Sequence, residues 1–194
     1  MYFYHISRFI ANIIFRIIFR IEVVGKENIP REGRVILCSN HVSNFDPIML
    51  GIAVPRPISF MAKKELFEKK LLGKLISGLG AFPVDRKGSD LSAIRNSLKV
   101  LKEEEVLGIF PEGTRKYNMD LENIKAGIGL IAIKGKSPVV PVYIEAKYRV
   151  FSKVKIIIGK PMNFDNYKDK KLGTDEYREI SKDIMRSIYG LKNI

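Results

Sequence analysis

Residues 35–47 of this 194-residue chain read VILCSNHVSNFDP, and this stretch gives the strongest single indication of the fold. Its first four residues form a short apolar run, which is consistent with a strand buried in a sheet. Asp46 and Pro47 are both favoured at the beginning of a helix. A short polar loop that contains His41 must then join the strand to the helix. The stretch therefore predicts a strand–loop–helix unit whose loop carries a titratable side chain.

Apolar runs and helical patterns alternate along the rest of the chain. The strand candidates are residues 21–24, 35–38, 58–61, 81–84, 106–110, 139–144 and 154–158, and the helix candidates are residues 46–53, 65–77, 90–105, 126–133 and 174–189. Asp90 and Thr174 are the predicted N-caps of two of these helices. The alternation predicts an α/β fold, with a mixed, largely parallel sheet flanked by helices. Ligands of such sheets bind beyond the carboxyl ends of the strands, so functional residues are expected there.

The composition is that of a globular chain, with 46 % hydrophobic and 28 % charged residues. Lys and Arg together number 34 and Asp and Glu 21, so the net charge is +13. This excess predicts an acidic partner, which the charge alone leaves open among nucleic acid, an anionic membrane, an acidic carrier protein and a phosphorylated substrate. Cys38 is the one cysteine and there are two histidines, which argues against disulfides and against a cysteine or multi-histidine metal site. No metal is therefore expected.

Residues 1–20, MYFYHISRFIANIIFRIIFR, form a distinct N-terminal segment with the pattern of an amphipathic helix. Its apolar arc is wide, and its narrow polar stripe contains no acidic residue. The pattern suits either a helix docked on the core of the protein or a helix that lies in the plane of a membrane with its arginines at anionic headgroups. A spanning helix is disfavoured, because an arginine at mid-bilayer costs at least about 2.5–3.5 kcal/mol.

His41 and Asp46 are the first pair of candidate catalytic residues. On one continuous helix their side chains would point about 140° apart, whereas across a turn they can meet. A carboxylate on one imidazole nitrogen fixes the tautomer and leaves the other nitrogen free to act as a base. Alternatively, Asp46 only caps the helix and His41 is an ordinary loop residue. Ser39 and Ser43 are not favoured as nucleophiles, because neither lies in a G-x-S-x-G turn.

Residues 110–115, FPEGTR, follow another strand candidate and form the second segment of interest. Gly113 permits an unusual backbone conformation, so the loop can aim N–H groups at an anion. Arg115 offers a planar fork of donors that suits phosphate or carboxylate. Glu112 can orient Arg115, bind a hydroxyl group or accept backbone hydrogen bonds. The alternative is a surface turn with a solvated ion pair.

Two further segments carry weaker signals. Residues 80–86, GAFPVDR, place Arg86 after a strand candidate, either as a second guanidinium at the same sheet edge or as a surface residue. Residues 139–142, VVPV, predict a strand whose proline marks a bulge or an edge position.

Taken together, these four segments resemble in order and spacing the motifs of the PlsC-like glycerolipid acyltransferases, the 1-acylglycerol-3-phosphate acyltransferase family. His41 and Asp46 match the H-x-x-x-x-D motif, residues 110–115 match F-P-E-G-T-R, and residues 80–86 and 139–141 resemble the other two blocks. Lys125 begins a Lys-Ala-Gly segment that is also similar to the family. The resemblance covers roughly residues 20–165.

The resemblance implies transfer of a fatty acyl group from a thioester to the sn-2 hydroxyl of lysophosphatidic acid, which gives phosphatidic acid. It implies that His41 is the general base and that Asp46 orients it. The substrate-binding residues that it implies are Arg86, Glu112, Gly113, Thr114, Arg115 and Lys125. Phe82 stands where the family often has an aliphatic residue, so the block that ends in Arg86 departs from the family's pattern at this position. No cofactor is implied, and acyl-CoA or acyl carrier protein serves as co-substrate.

The resemblance also favours the membrane alternative for residues 1–20, followed by an acyltransferase domain over residues 21–194. We accordingly expect a peripheral or monotopic protein on the cytoplasmic side of the cell membrane, in contact with anionic phospholipid and not with nucleic acid. Two alternatives stay open. One is the same chemistry on glycerol 3-phosphate, another lysophospholipid or a lipid A precursor, and the other is a non-catalytic basic module that binds membrane or nucleic acid.

Overall fold

The structure is a computed structural model that describes residues 2–85, 91–115, 119–167 and 170–193. It confirms the alternation of strands and helices. The strands are β1 (Arg20–Val24), β2 (Val35–Ser39), β3 (Ile58–Lys63), β4 (Phe82–Val84), β5 (Val106–Ile109), β6 (Val139–Ala146) and β7 (Lys153–Ile158). The helices are α1 (Tyr2–Ile18), α2 (Asp46–Ala53), α3 (Lys64–Glu68), α4 (Lys70–Gly78), α5 (Leu91–Lys102), α6 (Gly127–Gly135) and α7 (Thr174–Gly190).

The seven strands form one mixed sheet in the order β1-β7-β6-β2-β5-β3-β4. Strands β6, β2, β5, β3 and β4 run parallel to one another. Strand β7 is antiparallel to β6, and β1 is parallel to β7. The predicted mixed, largely parallel sheet is therefore confirmed, and the carboxyl ends of the five parallel strands lie at a common edge.

Helices cover both faces of the sheet, which explains why its central strand is apolar throughout. All five residues of β2 are buried. Because side chains alternate along a strand, Ile36 and Cys38 join the core beneath α5, α6 and α7, whereas Val35 and Leu37 join the core beneath α2. The second core also receives Phe19, which directly follows α1. This packing fixes β2 firmly, and with it the loop that contains His41.

Helix α1 docks on the protein through its polar side. The Arg8 guanidinium donates to the carbonyl oxygens of Gly51 at 2.8 Å and Ile52 at 3.3 Å, in the last turn of α2, where a positive charge is favourable. The Tyr4 hydroxyl accepts the backbone N–H of Ile58 at 3.3 Å. No residue of α1 counts as buried, although Phe15, near its end, packs against the core. Docking thus leaves most of the apolar arc exposed.

None of the helices in the described ranges combines the length and the hydropathy that are needed to cross a bilayer. The two alternatives for residues 1–20 are partly compatible. The helix contacts its own protein and exposes His5 and Arg16, yet most of the side chains that it exposes are apolar. Those with at least 45 % of their surface exposed are Tyr2, Phe3, Ile6, Phe9, Ile10, Ile13, Ile14 and Ile17. Association with a membrane remains a prediction.

Two predicted helices differ from the structure. Residues 65–77 form not one helix but the pair α3 and α4, because Lys69 is extended between them. Gly73 permits this sharp turn, since a Cβ there would lie 2.5 Å from the carbonyl oxygen of Phe67. The predicted N-cap Thr174 is wrong, because it is the first residue of α7 and Gly173 precedes the helix as the cap. The predicted cap Asp90 lies outside the described residues.

Of the two interpretations of Pro141, the edge position is wrong and the position at a bulge is confirmed. Pro141 is buried in β6, which lies between β7 and β2 in the interior of the sheet. Its carbonyl oxygen accepts the N–H of Gly159 at 2.8 Å, one residue beyond the end of β7. Val139 then pairs with Met162, so the segment after β7 has one residue more than β6 over this stretch. The proline is tolerated there because this bulge interrupts the regular ladder at the residue that has no N–H to donate.

Candidate active site

The loops after β2 and β5 lie side by side, because these two strands are neighbours in the sheet. The first loop contains His41 and leads into α2 at Asp46. The second contains the FPEGTR segment, residues 110–115. Asn40 anchors the first loop, because its buried side-chain amide donates to the carbonyl oxygen of Ile144 at 2.9 Å and accepts the N–H of that residue at 2.7 Å. A rigid connection to β6 therefore precedes His41.

His41 and Asp46 are in direct contact, as predicted. Nδ1 of His41 lies 2.8 Å from Oδ2 of Asp46. The same oxygen accepts the backbone N–H groups of Val42 and Ser43, both at 2.7 Å. The loop of residues 41–46 is therefore closed around the Asp46 carboxylate by these hydrogen bonds. The structure excludes the alternative that Asp46 only caps α2. Phe45 occupies the N-cap position, and Asp46 accepts hydrogen bonds from the preceding loop.

The contact with Asp46 determines which imidazole nitrogen is available for chemistry. A carboxylate can only accept, so Nδ1 carries the hydrogen and Nε2 keeps its lone pair in the neutral ring. Within the described part of the chain, no hydrogen bond occupies Nε2. The Asp46 side chain has no exposed surface, whereas 12 % of the His41 side chain is exposed. The imidazole ring of His41 thus lies between the buried Asp46 carboxylate and the protein surface.

Aromatic rings support the imidazole from the side of the second loop. His41 stacks on Phe110 with 4.2 Å between the ring centroids and 23° between the planes. Phe110 in turn is nearly parallel to Phe60 of β3, with 5.9 Å between centroids. Since the hydrogen bond and the stack constrain the ring in different directions, its orientation is well determined.

Glu112 joins the two loops. Its Oε2 accepts the backbone N–H of His41 at 3.2 Å, and its Oε1 accepts the hydroxyl group of Tyr189 in α7 at 2.6 Å. Burial and the adjacent Glu112 carboxylate raise the pKa of Tyr189 well above its usual value, so that this hydroxyl stays a donor. Of the three roles that the sequence left open, acceptance of a backbone hydrogen bond is confirmed. Glu112 therefore links both motif loops to the last helix.

The remaining predicted residues lie around this centre. Gly113 has φ of +67°, and its N–H donates to the carbonyl oxygen of Phe110 at 3.0 Å, which closes the turn. Thr114, Arg115 and Lys125 are exposed. In the described ranges, the structure gives Arg115 and Lys125 no hydrogen bond to the His41–Asp46 pair. Arg86 lies outside the described residues.

Two tyrosines take part in the site without any sequence signal that identifies them. Tyr148 donates its hydroxyl group to Oδ1 of Asp46 at 2.6 Å, and Tyr189 donates to Glu112. Neither belongs to a motif, and they follow Asp46 by 102 and Glu112 by 77 positions. Only the three-dimensional arrangement brings them to the carboxylates.

Comparison with known proteins agrees with this geometry. A family model described as acyltransferase matches residues 20–145. The chain is 39 % identical over 149 residues to the 1-acyl-sn-glycerol-3-phosphate acyltransferase of Bacillus subtilis, and the match covers 74 % of each chain. It is 30 % identical over 197 residues to the protein of that name from Saccharomyces cerevisiae, which covers 94 % of this chain and 62 % of the yeast protein.

The fold is also similar to a solved structure. The crystal structure of the 1-acyl-sn-glycerophosphate (LPA) acyltransferase PlsC from Thermotoga maritima matches with a TM-score of 0.66 and 25 % sequence identity. The match covers 90 % of this chain and 73 % of that one. The matched family region contains the His41–Asp46 pair and the FPEGTR loop. From the family model, the relatives and the shared fold, we conclude that the chain belongs to the acyltransferase family.

Proposed function

We propose that this protein transfers a fatty acyl group from an acyl thioester to the free hydroxyl group of 1-acyl-sn-glycerol 3-phosphate, giving phosphatidic acid for phospholipid synthesis. The observation that carries the proposal is the contact between Nδ1 of His41 and the buried carboxylate of Asp46. The names of the relatives from Bacillus subtilis and Saccharomyces cerevisiae support this acceptor. Membership in a family of enzymes argues against the alternative of a non-catalytic basic module.

His41 is the general base of the proposed reaction. Nε2 takes the proton of the acceptor hydroxyl while its oxygen attacks the thioester carbonyl carbon, and a C–O bond forms. When the tetrahedral intermediate collapses, the C–S bond breaks and the imidazolium returns the proton to the leaving thiolate. Asp46 holds the ring in the required tautomer and stabilises its positive charge. The substrate's own hydroxyl is the nucleophile, so no acyl-enzyme is needed.

The phosphate of the acceptor binds at the exposed end of the FPEGTR loop. Arg115 presents a guanidinium to solvent there, and an arginine fork suits a phosphate better than a point charge does. Gly113 and Thr114 shape this turn, and Lys125 and Arg86 are the further cationic residues that the family resemblance assigns to substrate binding. Acyl-CoA and acyl carrier protein are both acidic, and either serves as the donor. No metal or redox cofactor takes part.

The exposed arc of α1 supports association of the enzyme with a membrane. A helix that shows isoleucine and phenylalanine to solvent and basic residues at its edges fits the interface of an anionic bilayer. The end of α1 lies beside the site, because Phe15 contacts Phe45 with 5.5 Å between ring centroids, and Phe45 directly precedes Asp46. A lipid acceptor therefore has a short path to His41. We place the protein on the cytoplasmic side of the cell membrane, as a peripheral or monotopic enzyme.

Replacing the proposed base tests the mechanism. We expect His41→Ala to lower kcat by about 10²–10⁴-fold or more, because general-base help of that size is lost. Activity is measured with purified protein, lysophosphatidic acid and each donor in turn, and thermal melting confirms that the variant is folded. His5→Ala removes the other histidine and should retain activity. A folded His41→Ala variant with normal turnover would exclude His41 as the base.

Replacing Arg115 tests the phosphate site. We expect Arg115→Ala to raise the KM for lysophosphatidic acid about tenfold or more with a smaller change in kcat, because a charged hydrogen bond to the bound phosphate is lost. The preference for lysophosphatidic acid over a monoacylglycerol, which lacks the phosphate, should fall in parallel. Arg31→Ala is the matched control, since Arg31 is exposed before the amino end of β2. An unchanged KM and preference would place the phosphate elsewhere.

Replacing exposed apolar residues of α1 tests membrane binding. Phe9 and Ile17 are 65 % and 68 % exposed, so changing both to Ser should leave the fold intact. We expect flotation with phosphatidylglycerol-containing vesicles to weaken at least about tenfold, because burying each apolar side chain is worth about 1.5–3 kcal/mol. Leu91→Ser changes a residue that is 70 % exposed on α5, on the other face of the sheet, and serves as control. Unchanged flotation of the double variant would refute the assignment.

A further inference from the structure

The two oxygens of the Asp46 carboxylate have very different surroundings. Oδ2 accepts three hydrogen bonds, all from residues 41–43 of its own loop. Within the described residues, Oδ1 accepts one, from the hydroxyl group of Tyr148 at 2.6 Å. Since the carboxylate is fully buried, this hydroxyl is what satisfies the second oxygen.

Tyr148 is held in place independently of Asp46. It lies two residues beyond β6, with φ of +48°, a conformation that residues other than glycine seldom adopt. Its ring packs edge-on against Phe19 with 5.7 Å between centroids, and in a tilted arrangement against Phe45 with 5.6 Å. Such a backbone persists only where packing enforces it, so the hydroxyl is positioned before any substrate binds.

The hydroxyl group of Tyr148 is a permanent donor. Burial, with a further contribution from the negative charge of Asp46, raises the pKa of this tyrosine far above its usual value. The proton therefore stays on Tyr148 throughout the range in which a histidine titrates, and the Asp46 oxygen accepts it.

We propose that Tyr148 is a positioning residue for the His41–Asp46 pair. A turn about the Cβ–Cγ bond of Asp46 moves both oxygens, so the fixed donor at Oδ1 adds to the three donors at Oδ2 in setting the plane of the carboxylate. That plane determines the line from Oδ2 to Nδ1 of His41, and so the direction of Nε2. Tyr148 acts through Asp46 and does not touch the substrate. The inference rests on the proposed role of His41 as base, and it assigns a role to a residue outside the matched region 20–145.

The test replaces Tyr148 with Phe, which keeps the ring contacts and removes one oxygen. We expect kcat to fall about ten- to a hundredfold with the acceptor KM nearly unchanged, because a hydrogen bond to a buried charged group is lost from the catalytic pair alone. Tyr177→Phe is the matched control, since Tyr177 is a buried tyrosine of α7 whose hydroxyl makes no hydrogen bond within the described residues.

A second readout does not require turnover. Diethyl pyrocarbonate acylates neutral imidazole, so the pH dependence of its reaction with His41 reports the titration of that ring. A His5→Gln background leaves one histidine. Without the Tyr148 donor, the charge of Asp46 is concentrated on the imidazole side and stabilises the imidazolium more strongly. We therefore expect the midpoint of the reaction to move to higher pH in Tyr148→Phe and not in Tyr177→Phe.

The double variant with Asp46→Asn completes the experiment. If Tyr148 acts through Asp46, Tyr148→Phe should cause no further loss of kcat and no further shift of the midpoint in that background. A lower melting temperature of Tyr148→Phe, with kcat and the acylation midpoint both unchanged, would overturn the proposal and show that Tyr148 only contributes to packing. If the protein had no transferase activity, the proposed function would fail, while the acylation midpoint would still decide for or against Tyr148.

Discussion

The site is organised by one buried negative charge. A carboxylate without exposed surface is costly unless its oxygens are hydrogen-bonded, and Asp46 meets this requirement with four donors. Each hydrogen bond to a charged group is worth about 1.5–3 kcal/mol, so no single donor is sufficient. The loop from His41 to Asp46 therefore has to wrap around the carboxylate, and this wrapping points the imidazole outward with Nε2 available.

The order of the strands in the mixed sheet explains how segments that are distant in sequence meet at the site. Strands β2, β5 and β6 are parallel neighbours, so their carboxyl ends deliver His41, Glu112 and Tyr148 to one edge. The antiparallel turn into β7 begins next to Tyr148, and α7 returns across the opposite face to deliver Tyr189. Both motif carboxylates thus gain a tyrosine donor from the C-terminal quarter of the chain.

Sequence reasoning predicted those features that depend on local pattern. The apolar run of residues 35–38 identified the central strand, and the resemblance to the family motifs identified His41 and Asp46 as the pair. It missed the break at Lys69, because the turn between α3 and α4 depends on close packing of Gly73 against Phe67. Tyr148 and Tyr189 were missed because nothing near them in sequence shows which carboxylate they will meet. The amphipathic pattern of α1 was clear from the sequence. The docking of its polar side was not, because it depends on the carbonyl groups at the end of α2 that accept hydrogen bonds from Arg8.

The most direct test of the central claim is a crystal structure of the protein with bound lysophosphatidic acid and no acyl donor. The account predicts that the free hydroxyl oxygen of the acceptor lies about 2.6–3.2 Å from Nε2 of His41, while Nδ1 still contacts Asp46. A hydroxyl group held away from the imidazole, with the ring packed against the acyl chain or the phosphate, would contradict it.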